Sequence, residues 1–146
     1  MDRQKLRQIW TQWWEGDIWI APWSKALAGL TPQQAAWSPA PGRHSIWQLV
    51  THVLFWRGVT FARLAGQPVP DDATIEAQQF APPQRVDDDS WRATREALEQ
   101  SHQRIIDAVS DDATPLDRFQ YHLGHDAYHL GQIMYLRAMQ GLPPIT

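Results

Sequence analysis

Apolar positions along the chain recur at spacings of three and four residues, the mark of helices that bury one face. In residues 2–14, Leu6, Ile9, Trp10 and Trp13 share one stripe and the charges lie elsewhere, which predicts a first helix. Gly16-Asp17 interrupts it. Pro22 suits the first turn of a second piece, which ends at Gly29 as the residue just past the helix. Thr31-Pro32-Gln33-Gln34 supplies an N-cap hydroxyl, a proline at the first helical position and a glutamine at the third, and predicts one short turn. Ser38-Pro39-Ala40-Pro41-Gly42 is a loop by composition. Ser45-Ile46-Trp47-Gln48 is a second capping box and opens a helix over 45–65. There Ile46, Leu49, Val50, Val53, Leu54, Phe55, Trp56, Val59, Phe61 and Leu64 surround most of the cylinder. A helix apolar on nearly all sides is buried on more than one side. The core covers one face; a second copy of the chain, giving a homodimer, is the expected cover for the rest.

Residues 66–89, rich in proline and aspartate, form a long connection of the kind found in lids and crossovers. A third long helix is expected over 90–109, with Trp91, Leu98, Ile105 and Val109 inward. A short link, 110–115, leads to a fourth at 116–140, stopped by Gly141 and Pro143-Pro144. No alternating strand pattern, internal repeat or heptad array is present. The expected fold class is all-α, a four-helix bundle in a single domain spanning 1–146. The short link makes helices three and four antiparallel, and the long one permits helices two and three to run parallel.

Composition narrows the function. The 146 residues fit one domain with one good core. A net charge of −3 and a pI near 6.0, with no basic run, argue against a nucleic-acid partner. There is no cysteine, so disulfides and thiolate ligands are excluded, in keeping with a reducing compartment. The charged opening Met1-Asp2-Arg3-Gln4-Lys5-Leu6-Arg7 precedes no apolar run, so neither a signal peptide nor a membrane span is expected, and a cytoplasmic location is the default. Nine tryptophans are enough to fill a core and also to wall an apolar pocket for a small-molecule substrate.

The chemistry concentrates in the last helix. His125-Asp126-Ala127-Tyr128-His129 sets two imidazoles four residues apart, about 40° around the helix from each other. Their Cβ atoms are then roughly 6 Å apart, which lets both rings reach one ion at about 2.1 Å. His52, in the middle of the second long helix, could close a triad. Three histidines with one open position make a catalytic type of centre. The plainer alternative is two partly buried rings hydrogen-bonded to their neighbours. Against it, His52 lies among Leu49, Val53 and Trp56, where a buried imidazole needs partners for its nitrogens, and one ion would serve all three rings.

Other candidates read differently. His122, three residues before His125, is a fourth ligand, a supporting partner or, more simply, a half-exposed residue at the bundle edge. His102 sits beside the inward stripe of the third helix as a boundary residue, and His44 is a surface residue before the Ser45 cap. Glu15, Asp17 and Glu76 lie in breaks or loops and are expected to be solvated. Asp126, about 100° off the histidine face, is expected to point outward. Asp87-Asp88-Asp89 complements the dipole of the third helix. Tyr121, Tyr128 and Tyr135 repeat every seven residues, as do Gly124 and Gly131. Each glycine costs roughly 1 kcal/mol against alanine, so a close approach by another group is expected there. With no phosphate loop, serine elbow or cysteine nucleophile, an enzyme here would draw its activation from the metal.

Three stretches carry a family resemblance: His44 through His52, then Gly124-His125-Asp126-Ala127-Tyr128-His129-Leu130-Gly131-Gln132-Ile133, then Arg137 through Gly141. The chain resembles the DinB-like family of small metal-binding four-helix bundles, which includes the bacterial thiol-dependent S-transferases. The resemblance implies that His52, His125 and His129 bind a divalent ion, zinc or nickel, with water completing the shell. It also implies an up-down-down-up bundle and a tendency to dimerise. The break from Gly16 to Pro22 departs from one long first helix. The family's better-understood branches use the ion to hold a low-molecular-weight thiol as thiolate for attack on an electrophile. With no cysteine in the chain, that thiol would be a cofactor. A metal-dependent hydrolase with bound water as nucleophile is one alternative. A non-catalytic metal- or ligand-binding module is the other, and it would gain if His122 or a carboxylate closed the fourth position.

Overall fold

A computed structural model describes residues 2–16 and 18–145. Among these residues every regular element is a helix: α1 (Arg3–Glu15), α2 (Trp23–Ala26), α3 (Pro32–Ala36), α4 (Ile46–Leu64), α5 (Asp72–Gln78), α6 (Asp88–Ser110) and α7 (Asp117–Met139). Four of them are long and three are short. Asp17, half of the expected break after the first helix, lies outside the described residues.

Local sequence chemistry starts and stops these helices. Asp2 caps α1, its carboxylate accepting from the Lys5 amide at 2.8 Å. Both capping boxes form as the spacing predicts, Thr31 with Gln34 and Ser45 with Gln48. Pro22 is the N-cap of α2 rather than a residue of its first turn. Gly29 and Gly141 adopt φ of +71°, a left-handed conformation that glycine takes without a Cβ penalty, and each follows a helix. The 66–89 connection is not wholly irregular. Asp71 accepts from the Thr74 amide at 2.8 Å and starts α5. No α5 residue is buried, and its sequence carries no apolar stripe to announce a helix.

The packing divides into two units, Met1–Gly29 with Glu99–Thr146, and Leu30–Leu98, with α6 running through the division. In the first, α1 packs on α2 and α2 on α7. Its buried side chains include Leu6, Trp10, Trp23, Ile105, Val109, Phe119 and Ile133. Arg3 reaches from α1 to the Val109 carbonyl at 3.0 Å, and Arg137 of α7 donates to the Ala26 and Ala28 carbonyls at 3.1 and 3.0 Å. Burial lowers the pKa of that guanidinium.

In the second unit α3 packs on α4. Trp47 and Trp91 meet at 5.0 Å between ring centroids; the Trp47 indole donates to Thr94 Oγ1 at 3.0 Å and the Trp91 indole to the Leu30 carbonyl at 3.2 Å. On α4, Ile46, Leu49, Val50, Val53, Val59 and Phe61 are buried. Leu54, Phe55 and Trp56 are half-buried, and Leu64 at the helix end is exposed. Exposed aromatic side chains include Trp19 and, on α7, Tyr121, Tyr128 and Tyr135. Among the described residues no helix is long and apolar enough to cross a membrane.

Candidate metal centre

Helix α7 holds the two spaced histidines as the pattern requires. The Nε2 atoms of His125 and His129 lie 3.1 Å apart. Two nitrogens bound to one ion at about 2.1 Å, with an angle between 90° and 110°, stand about 3.0–3.4 Å apart, so the pair already has the bite of two ligands. His129 is buried and His125 half-buried.

The second nitrogen of His129 shows which tautomer this ring adopts. His129 Nδ1–H donates to Gln132 Oε1 at 2.7 Å, and the other end of that amide donates from Nε2 to the Tyr128 hydroxyl at 3.4 Å. With the proton on Nδ1, Nε2 of His129 carries a lone pair aimed toward His125. Such a hydrogen bond on the far nitrogen orients metal-binding imidazoles generally. The sequence pattern does not mark Gln132 for this role. The available signal was its position three residues after His129, within reach along the helix.

Three expectations for α7 are overturned. Asp126 does not point outward: it is fully buried, and its Oδ2 accepts from the Trp23 indole at 2.9 Å. The 100° offset was right, but α2 lies against that side of α7 and turns it into core. His122 is buried rather than half-exposed at an edge. One ligand atom from each of His122, His125 and Asp126 lies within 4.8 Å of the others, a second set with the donor types an ion would accept. Gly124 and Gly131 face open space, with no atom within 4 Å of a Cβ built on either, so no close approach explains them.

His52 occupies the middle of α4 and is buried. Its ring stacks on Phe80 at 4.0 Å with 6° between the planes, and Trp56 meets it edge-on at 6.4 Å. His44 is exposed as expected and stacks on the other face of Phe80 at 3.8 Å. His102 is a core residue, not a boundary one: its Nε2 donates to the Trp10 carbonyl at 2.7 Å and its ring packs against Trp10 and Trp14. Glu15 and Glu76 are exposed, in keeping with solvation; Asp17 lies outside the described residues. Asp87 caps α6, and hydrogen bonds from the Ser90 hydroxyl and amide hold its carboxyl below the ordinary carboxylate range.

The tryptophans divide as their bulk requires. Trp10, Trp23, Trp47 and Trp91 are buried, while Trp19 is exposed. A cleft of 310 Å³ beside the last turns of α7, lined by Ala21, Met134, Leu142, Pro143 and Ile145 among others, holds neither tryptophan nor histidine.

An all-helical chain in which two imidazoles of one helix converge on a 3.1 Å gap, one with its tautomer fixed, has a histidine-based site able to hold a metal ion. Residues 21–133 match the model of the DinB superfamily, well over half of the chain, and the protein belongs to that family. The match begins after α1 and includes His52, His125, His129 and Gln132. No curated protein and no solved structure matches the chain.

Proposed function

We propose that His52, His125 and His129 hold one divalent cation, zinc or nickel, with a further coordination position open to a small molecule. The observation that carries this reading is the 3.1 Å gap between the Nε2 atoms of His125 and His129, with Gln132 keeping the His129 lone pair turned into it. With His52 the proposed ligands are two buried imidazoles and one half-buried one, the donor type and burial suited to a borderline-soft ion. Burial also limits competition from water at the ligands.

The reaction we propose is transfer of a low-molecular-weight thiol to an apolar electrophile. A bound ion would supply thiol activation: it would favour the thiolate, whose electron pair forms the new sulfur–carbon bond while the electrophile's leaving group departs with the electron pair of the broken bond and the thiol proton goes to solvent. The chain has no cysteine, so the thiol comes from outside. His129 is kept by Gln132 in the form that can ligate, and α7 fixes the spacing of the pair. This reading includes a small-molecule substrate, an up-down-down-up order of the four long helices and a homodimer.

The test loads the purified protein with zinc or nickel and supplies each common bacterial thiol with an apolar electrophile. Conjugation faster than in the His129→Ala variant is expected. No acceleration with any thiol would refute the transferase reading, and turnover of esters or amides without thiol would point to a hydrolase.

A second reading has its own observation. His122 and Asp126 bring ligand atoms near His125, and if either closes the shell the ion is held without an open position. The protein would then be a non-catalytic metal-binding module. Exchange of bound water on the cobalt-loaded protein, seen by proton relaxation, distinguishes the two: an open position gives exchange and a closed shell none.

A further inference from the structure

The segment after α5 is fastened to one face of α4 at three successive points. Gln48, His52 and Trp56 are spaced by four residues, so they stack along one side of the helix. Gln48 Nε2 donates to the Phe80 carbonyl at 3.0 Å, while the Gln48 Oε1 accepts from the Ser45 amide as part of the capping box. The Trp56 indole donates to Gln79 Oε1 at 3.3 Å. Between these two ties Phe80 lies parallel to the His52 ring, 4.0 Å away and 6° from coplanar. The exposed His44 ring lies parallel to the other face at 3.8 Å, so the phenyl ring is held between two imidazoles.

The placement matters because an imidazole in mid-helix has a broad second torsion. The helix sets where the His52 ring is but not how its plane is turned. A parallel ring in van der Waals contact restrains that plane. The turn that presents Phe80 is itself stiff: the Gln79 amide returns to Ile75 O at 3.0 Å, the Ala81 amide to Gln78 O at 3.1 Å, and Pro82-Pro83 follows.

We infer that Phe80 is a positioning residue for His52: the strap from Asp71 to Ala81 presents a flat ring that holds the His52 imidazole in the plane from which its nitrogen binds the cation. This rests on His52 being a ligand, as proposed above. It assigns a use to the long proline- and aspartate-rich connection, which otherwise shows only one exposed helix.

The experiment compares wild type with Phe80→Leu, Phe80→Tyr and His52→Ala, using Co²⁺ alone as the probe and circular dichroism to check the fold. Phe80→Leu keeps apolar bulk but loses the flat ring. It is expected to weaken Co²⁺ binding about tenfold and to alter the visible spectrum of the bound ion, with Phe80→Tyr restoring both. In the metal-free protein the carbon-bound ring protons of His52, shielded by the phenyl face, should move downfield in Phe80→Leu but not in Phe80→Tyr. Unchanged affinity and spectrum in Phe80→Leu, while His52→Ala loses the ion, would overturn the positioning role alone. An equal loss in Phe80→Leu and Phe80→Tyr would also overturn it, because the ring plane would not be the cause. Full Co²⁺ binding by His52→Ala would overturn the three-histidine reading and the positioning role with it.

Discussion

Gln132 Oε1 lies 2.7 Å from His129 Nδ1, one helical turn along α7, and accepts a hydrogen bond from that ring's N–H. The amide thereby selects which nitrogen of His129 carries the lone pair. Gln132→Leu removes the acceptor without changing the helix much, and the ring becomes free to change tautomer and rotate. We expect a loss of about 10–100-fold in metal affinity with little change in thermal stability, measured by competition with a chromogenic chelator. Affinity equal to wild type would show that the bond does not support metal binding.

Asp126 depends on Trp23 in a similar way, but for stability. Its carboxylate is fully buried and accepts a hydrogen bond from the indole N–H at 2.9 Å. Trp23→Phe deletes that donor and is predicted to cost about 1–3 kcal/mol in urea denaturation, with some added loss from the smaller ring. An unchanged midpoint would mean that water enters to replace the indole.

Gly124 and Gly131 give a prediction whose sign decides between two accounts. If another group packed closely on them, alanine would clash and destabilise. The structure shows open space around both positions. Gly124→Ala and Gly131→Ala should therefore each stabilise the protein, by up to about 1 kcal/mol, through helix propensity. A fall in melting temperature for either would mean that a partner occupies this face in solution.

The tryptophans are not equivalent. Trp91 is buried and Trp56 half-buried. Trp91→Ala is expected to cost about 3–5 kcal/mol, the range for emptying a core site. Trp56→Ala, which removes less buried area and a 3.3 Å tie to Gln79, should cost clearly less. Equal costs in chemical denaturation would contradict the burial difference.

Acid should act at the start of α6. The Asp87 carboxyl is held below its ordinary range first by a hydrogen bond from the Ser90 hydroxyl, then by the Ser90 amide and, less, by Arg85. A carboxyl whose pKa is lower folded than unfolded contributes stability above its unfolded value, and that contribution is lost as pH falls through the folded one. Asp87→Asn should thus flatten the loss of stability on the acid side of about pH 4. The same acid slope in the variant and wild type would assign the effect elsewhere.

Much of this was legible in the chain itself, for physical reasons that are local. Asp2, Thr31, Ser45 and the glycines after helices act on amides within a few residues, so helix ends can be read from neighbours alone. The inward stripe of α6, at Trp91, Leu98, Ile105 and Val109, follows from periodicity and all four are buried. The spacing of His125 and His129 is fixed by helix geometry, and so the pair was visible before any coordinates. Where the sequence failed, the deciding contact was distant. Asp126 was placed outside because the angle on α7 is known from sequence but the position of α2, 103 residues away in sequence, is not. His102 was placed at a boundary because nothing nearby announces the Trp10 carbonyl, 92 residues away.

The chain alone determined that it would be helical, where its long helices begin and end, and that one of them carries two imidazoles a turn apart, since each of these depends on interactions within about four residues. Only the folded structure decided that Asp126 and His122 are buried, that Gln132 turns the His129 lone pair inward, and that Phe80 lies flat on His52. Burial, tautomer and ring plane are set by what packs on the other side of a residue, and a linear spacing holds no record of that.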